Sequence, residues 1–495
     1  MRMRLTQNEY ITSTGNSLSF HAEYHTERLE EPATLASIRK PLVDQSPAYL
    51  HNSLQPIFHI PVEIISYVLE LVVAFSEASD AANLLDDTYF PISRSFLFMN
   101  LSCRRFREIS INTPVCWRNV IILFMKDHST LPAILDNFLW RSKSSRYDLF
   151  IFANKPDVGH EPFHEVLSIV RPHAHRCHRL EIRSRGETIE VCEISKIIRD
   201  CGWTFPSLRS VKPADHTRGW GRKSDEPQVI PFWNQESGSI ESINIEFGHF
   251  TQDLVISIIR CCPHLEHFEW SSHRMESSLD VKPVDVPCLI TLKFGQQALL
   301  GGFPQFIAPR CETLCLDDLW DSSDNGWFLE PIHGLARAFP ALKRISFVHD
   351  EGWTTKLQKF FSSHPFLEEV SIEHPGGEAT SVQDERELFD RLGVSSPASE
   401  LSSPDPVPGL LPALRVLWYR PGMHRWRGRP KDPSADVGAT IADAHRGLLT
   451  SRPTLSIKLL RESDDDDTPE SLLELLQEFE GRFFNLTDEV PDWAV

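Results

Sequence analysis

No stretch of this chain is apolar for long enough to cross a bilayer. The longest runs, Val68 to Phe75 around a single Glu70 and Asn119 to Met125 with its polar first residue, fall far short of the ~18–20 residues a spanning helix needs. The opening MRMRLTQNEYITSTG lacks the apolar core of a signal peptide, so export is not expected. Cysteine is sparse: ten residues are scattered through 495, with only Cys261 and Cys262 adjacent and no Cys-x-x-Cys pair. That spacing excludes a regular disulfide framework and points to reduced thiols in the cytoplasm, the nucleus or both. Positive charge is also in deficit, 50 basic against 69 acidic residues for a net −19. Such a chain repels phosphate backbones, which makes nucleic acid a poor partner. A glycine-rich phosphate loop, a nucleophile elbow and a zinc-protease helix motif are all missing. No catalytic residue, cofactor or membrane partner is therefore expected, although an enzyme with an unrecognised site stays open.

What is present suffices to fold. Hydrophobic residues at 41% and charged residues at 24% lie in the globular range. The length exceeds what a single core supports, so two units or a repeat array are expected. His160, His164, His173, His175, Cys177 and His178 are dense enough to consider a metal. Pro162 and Pro172 interrupt them, so loop and strand positions are the better reading and no metal is expected. Asp464 to Asp467 reads as a solvated acidic turn, and the basic residues around Trp426 as solvated loop charge.

Residues 1–55 read as a polar, partly disordered arm. From Phe58, Pro61 suits a first helical turn, and Ile60, Ile64, Ile65, Val68, Leu69 and Val72 recur at helical spacing. Residues 76–95 read as a loop. Phe96, Met99, Cys103 and Phe106 then form a second helical stripe, with Arg104, Arg105 and Arg107 off it. Thr113 and Pro114 predict an N-cap and first turn for a third short helix carrying Trp117.

These residues carry a resemblance. Ile60-Pro61-Val-Glu-Ile-Ile, then Leu-Ser-Cys103-Arg104-Arg105-Phe106-Arg-Glu-Ile109, then Thr113-Pro114-Val-Cys-Trp117 resemble, in that order, the F-box family. The likeness spans residues 57–118. Isoleucine stands before Pro61 where the family has leucine, a change of shape at similar volume. The resemblance implies a three-helix motif docking on the Skp-type adaptor of cullin ubiquitin ligases. It implies docking residues at Ile60, Pro61, Ile64, Ile65, Val68, Leu69, Leu101, Cys103, Arg104, Phe106, Pro114 and Trp117.

Further on, one phrase recurs: Phe-Pro-Ser-Leu208, Cys-Pro-His-Leu265, Val-Pro-Cys-Leu289, Phe-Pro-Ala-Leu342, His-Pro-Phe-Leu367 and Leu-Pro-Ala-Leu414, with weaker copies at Cys177, Ile240 and Cys311. Most intervals fit or slightly exceed the ~20–29 residues of a leucine-rich repeat. Strand-like runs begin near Tyr147, and helical return segments precede the phrases at 253–260, 333–339 and 354–361. In each phrase the residue between the last two apolar positions points away from the core. That column reads Glu181, Lys212, Asn244, Glu269, Lys293, Cys315, Ser346, Ser371 and Trp418. Within it Asn244, Glu269, Lys293, Ser346, Ser371 and Trp418 are candidate target contacts on a concave face. A final helix over 468–479 is expected to cap the array.

The expected fold class is thus α/β: a small N-terminal three-helix module over 56–120, then an irregular leucine-rich-repeat-like solenoid with a parallel sheet over 121–374. A flexible insertion at 375–410 and a last repeat with its cap at 411–495 complete it. Two functional expectations remain open. One is a non-enzymatic substrate-recognition adaptor of an SCF-type ligase, holding the Skp-type adaptor through the helices and an unidentified target through the solenoid. The other is an interaction scaffold whose helices merely cap the array.

Overall fold

The computed structural model describes residues 59–83, 104–124, 131–153, 160–184, 202–215, 239–246, 252–271, 284–295, 306–316, 337–348, 360–373, 411–420, 454–460 and 484–487, with a few single positions between them. The arm at 1–55, the second helix's start with Leu101 and Cys103, most of the insertion at 375–410, the basic residues 421–440 and the terminal helix at 468–479 lie outside the described residues.

The chain is α/β with a large parallel sheet, and it divides into two compact units. The first comprises residues 1–180 with 200–205, the second 181–199 with 206–495. In the first unit α1 spans Val62–Asn83, α2 Arg104–Asn112, and a 3-10 turn Pro114–Trp117. There follow β1 Asn119–Phe124, α3 Leu131–Arg141, β2 Tyr147–Ala153, α4 His160–Val170 and the start of β3, Cys177–Ser184. β1 and β2 pair in parallel from Asn119↔Asp148 to Phe124↔Ala153.

Three expectations change here. The helix runs on to Asn83, where residues 76–95 were read as loop from their Ser, Asp and Asn content. Alanine and glutamate in Ala-Phe-Ser-Glu-Ala-Ser-Asp-Ala-Ala favour continuation over termination. Thr113 makes no cap hydrogen bond to the turn; its Oγ1 donates to the Ile109 carbonyl at 2.9 Å, closing α2 instead. The first strand starts at Asn119, well before Tyr147, because the Asn119–Phe124 run is a β-branched, apolar strand buried at Val120 and Ile122.

In the second unit the strands are β4 Ser210–Asp215, β5 Ser242–Glu246, β6 His267–Ser271, β7 Val284–Asp285, β8 Thr291–Phe294, β9 Phe306–Ile307, β10 Thr313–Leu316, β11 Arg344–Val348, β12 Glu369–Glu373, β13 Val416–Arg420, β14 Ser456–Leu460 and β15 Phe484–Thr487. Their hydrogen-bonded order is β4-β5-β6-β8-β10-β11-β12-β13-β14-β15, while β7 and β9 pair separately. Parallel neighbours need a crossover, and α5 Gln252–Arg260 supplies the one between β5 and β6, over the predicted return segment at 253–260. Residues 337–338 and 360–363, within or at the end of the other two, are also helical.

The recurring phrase is a β-turn. In five of the six proline phrases the residue before the proline offers its carbonyl to the N–H of the anchor three residues on: Cys262 to Leu265 at 3.1 Å, Val286 to Leu289 at 3.3 Å, Phe339 to Leu342 at 3.2 Å, His364 to Leu367 at 3.2 Å, Leu411 to Leu414 at 3.1 Å. Proline at the second position presets the turn, and the buried leucine anchors it before the strand begins. Ala308 to Cys311 (3.0 Å) and Arg452 to Leu455 (3.1 Å) close the same way. The Arg452-Pro-Thr-Leu455 copy departs from the phrase in that its strand starts one residue sooner.

Alternate strand residues fill one core face: Leu292, Phe294, Ile345, Phe347, Val370, Ile372, Leu417 and Tyr419 are all buried. Phe294 stacks on Phe306 at 6.1 Å and meets Trp270 at 6.2 Å. Gly295, just past β8, has no room for a side chain, since an added Cβ would lie 2.9 Å from Ser271 Cα. Gly295→Ala should therefore lower stability by about 1–3 kcal/mol, read as a drop in the urea midpoint.

Candidate functional site

Two surfaces carry the candidate residues, one in each unit. In the first, α1 packs Ile65, Leu69 and Val73 into a core with Ile109, Cys116, Trp117 and Phe138, and Ile60, Phe106, Ile111 and Ile134 close its edge. Trp117 donates from Nε1 to the Ser110 carbonyl at 2.6 Å, meets Phe138 edge-on at 5.0 Å and lies under the Arg141 guanidinium at 4.3 Å. Arg105 reaches from α2 to the Ile60 carbonyl at 2.7 Å and so ties down the entry to α1. Arg104 stays exposed, bonded to Glu108 at 2.6 Å.

This geometry sorts the residues the F-box resemblance implied. Ile65, Leu69 and Trp117 are buried core and are not available as docking contacts in this structure. Ile60, Phe106 and Pro114 are half-buried, and Pro61, Ile64, Val68 and Arg104 are exposed. Helical spacing alone cannot separate the groups, because α1 carries apolar side chains on two stripes. Ile64 at 52 %, Tyr67 at 59 %, Val68 at 43 % and Leu71 at 36 % exposure form a second stripe opposite the buried one. Tyr67 and Leu71 were missed in the sequence; their i+3 and i+7 places relative to Ile64 were the available signal.

The second surface is the sheet face opposite the core. The predicted column is real in register: Asn244 pairs with Glu269, Glu269 with Lys293, Lys293 with Cys315, Cys315 with Ser346, Ser346 with Ser371 and Ser371 with Trp418. Exposure divides it. Asn244, Glu269 and Lys293 are part-exposed, and the Asn244 amide donates to Glu269 at 2.7 Å. Ser346, Ser371 and Trp418 are buried, as is Cys315, so they do not offer the open contact surface read from the sequence. Thr313 beside them is fully buried too. Strand periodicity gives the side a residue faces and is silent on what covers that side. Trp418 also holds the half-buried Lys458 ammonium 4.0 Å from its ring centre, a cation–π contact.

Residues from the His/Cys segment fall in α4, the following 3-10 turn and β3, and no metal-binding group of three occurs among the described residues. Its organising group is Arg176, which is buried. It donates to Ser142 Oγ and the Ser145 carbonyl, both at 3.1 Å, to the Lys143 carbonyl, and to His173 Nδ1 at 3.1 Å. Lys143, at φ 51°, is bent into the left-handed region to bring its carbonyl there. Burial, then Arg176 and His175, hold the His173 imidazole below its usual range against the opposing pull of Asp136. The folded state thus binds a proton less readily than the unfolded chain. Stability is full above the unfolded value near ~6.5 and declines as pH falls through the lower folded value. The urea midpoint should drop as pH falls below the unfolded value, and His173→Gln should flatten that drop while keeping an acceptor for Arg176.

Burial pushes the thiols of Cys116, Cys262 and Cys311 up to about 12, with Glu70 adding to the effect at Cys116 and Cys261 at Cys262. They are packing groups, protonated at neutral pH and poor nucleophiles. Among the described residues no helix is long and apolar enough to cross a membrane.

No family model matches the chain, and no curated protein matches it. A crystal structure of a protein from Bacteroides fragilis is similar over 67% of this chain and 73% of its own, at 14% identity and a TM-score of 0.32. A likeness that weak carries no argument about fold or function.

Proposed function

We propose that this protein is a substrate-recognition adaptor of an SCF-type cullin ubiquitin ligase. The observation that carries the reading is the outward stripe on α1, Ile64, Tyr67, Val68 and Leu71, exposed while the opposite stripe fills the core. Contiguous exposed apolar surface on a helix that is already packed marks a place where something docks. The F-box-like order of Ile60-Pro61, Cys103-Arg104-Arg105-Phe106 and Pro114-Val-Cys-Trp117 names the Skp-type adaptor as that partner. The role is positional. The helices hold the adaptor, a leucine-rich-repeat-like solenoid formed by the remaining strands holds a target, and tethering raises the target's effective concentration beside the conjugating enzyme. On the target side the open contacts are Asn244, Glu269 and Lys293. Cytoplasm and nucleus are the compartments where such a ligase works.

A second reading rests on a different observation. The buried stripe meets Phe138 of α3 through Trp117, so the helices also serve as a structural module within their unit. On this view the protein is an interaction scaffold without a ubiquitin role. Mixing the purified chain with a Skp-type adaptor separates the two: a stable stoichiometric complex on gel filtration supports the first, and its absence at micromolar concentration leaves the second.

A further inference from the structure

Along one flank of the outward stripe, Glu63, Tyr67 and Glu70 follow at i, i+4 and i+7, forming a border beside Ile64, Val68 and Leu71. Glu63 and Tyr67 are exposed and Glu70 is half-buried. Among the described residues none of these three side chains makes a hydrogen bond or ion pair, and Glu70 acts on Cys116 through its field. The other flank, Pro61 and Val72, carries no charge. The stripe therefore has one acidic edge and one apolar edge, which makes the two sides of any groove that receives it distinguishable.

Whatever covers Ile64, Val68 and Leu71 also covers the Tyr67 ring, since it belongs to the same strip of surface. Burying the phenol hydroxyl without a partner costs more than burying a plain ring. With a carboxylate about one turn away on each side, a carboxylate acceptor on the partner is repelled, whereas cationic side chains are attracted. We infer that the docking partner presents an apolar groove with a basic lip along the Glu63–Tyr67–Glu70 border and a neutral carbonyl or amide oxygen opposite the Tyr67 hydroxyl. This edge fixes the rotation of α1 in the groove and makes Tyr67 a specificity-determining residue. The inference rests on the docking reading above.

The test uses the full chain and a purified Skp-type adaptor, with affinity measured by calorimetry at about 50 and about 300 mM salt. The variants are Tyr67→Phe and the double change Glu63→Gln with Glu70→Gln, all conservative on a surface that contributes little to the core. Tyr67→Phe should weaken binding about fivefold at both salts. The double variant should lose about five- to tenfold at low salt and flatten the salt dependence. Wild-type affinity in both variants would overturn the inference; if Ile64→Asp still abolishes binding, the docking reading survives that result. Failure of the unaltered chain to bind the adaptor removes both. Self-association through the stripe, seen by sedimentation and lost in Ile64→Asp, would make a second copy the occupant and also overturn it.

Discussion

Replacing Ile64 with aspartate should abolish binding of a Skp-type adaptor while leaving the melting temperature within about a degree of the unaltered protein. Ile64 is 52 % exposed at the middle of the outward stripe, with Tyr67, Val68 and Leu71 around it. On the free chain the new carboxylate stays in water and costs almost nothing. In the complex it would sit in the desolvated centre of an apolar contact, where central anchors are worth about 2–4 kcal/mol and a buried unpaired charge adds to the loss. The expected outcome is a fall in affinity of at least about a hundredfold. Ile65→Asp, one residue along, should behave oppositely: it places the charge among Leu69, Ile109 and Trp117 and unfolds the helical module before binding can be measured. If the Ile64 variant binds normally, the stripe is not the docking surface.

Trp117→Ala has the largest expected effect on stability, about 3–5 kcal/mol. Only 4 % of Trp117 is exposed. Its removal deletes the ring packed against Phe138, leaves the Ser110 carbonyl with the Thr113 N–H at 3.2 Å in place of two donors, and takes the aromatic floor from the Arg141 guanidinium. Circular dichroism on denaturation should show an early loss confined to the first unit. A variant that keeps the midpoint of the parent would contradict the core assignment and restore Trp117 to the docking surface.

Much of the repeat architecture was legible because it depends on local chemistry. Proline followed two residues later by leucine means a preset turn and a buried anchor at Leu265, Leu289, Leu342, Leu367 and Leu414, so the strands after them could be located and their outward column aligned from the sequence. Asn244, Glu269 and Lys293 sit in register because each lies four residues beyond an anchor. The Arg452-Pro-Thr-Leu455 copy lacks a single residue between its turn and its strand. β1 was harder to see, since a six-residue apolar run has no period that distinguishes strand from buried helix.

The docking candidates show where local chemistry stops. Ile64, Ile65, Val68 and Leu69 are chemically alike, and a helix with apolar side chains on both of these stripes gives no hint of which one meets the core. The choice was made by α2, the Pro114–Trp117 turn and α3, which together cover Ile65 and Leu69 and leave Ile64, Tyr67, Val68 and Leu71 in water. In the same way periodicity aimed Ser346, Ser371 and Trp418 away from the core, yet their burial is set by what packs over that face. The order of residues thus determined the turns, the strands, their register and the amphipathic stripes, because those follow from backbone geometry and neighbours close along the chain. Which apolar stripe is sealed and which is offered to a partner was decided only in three dimensions, since exposure depends on segments distant in sequence arriving at the same place.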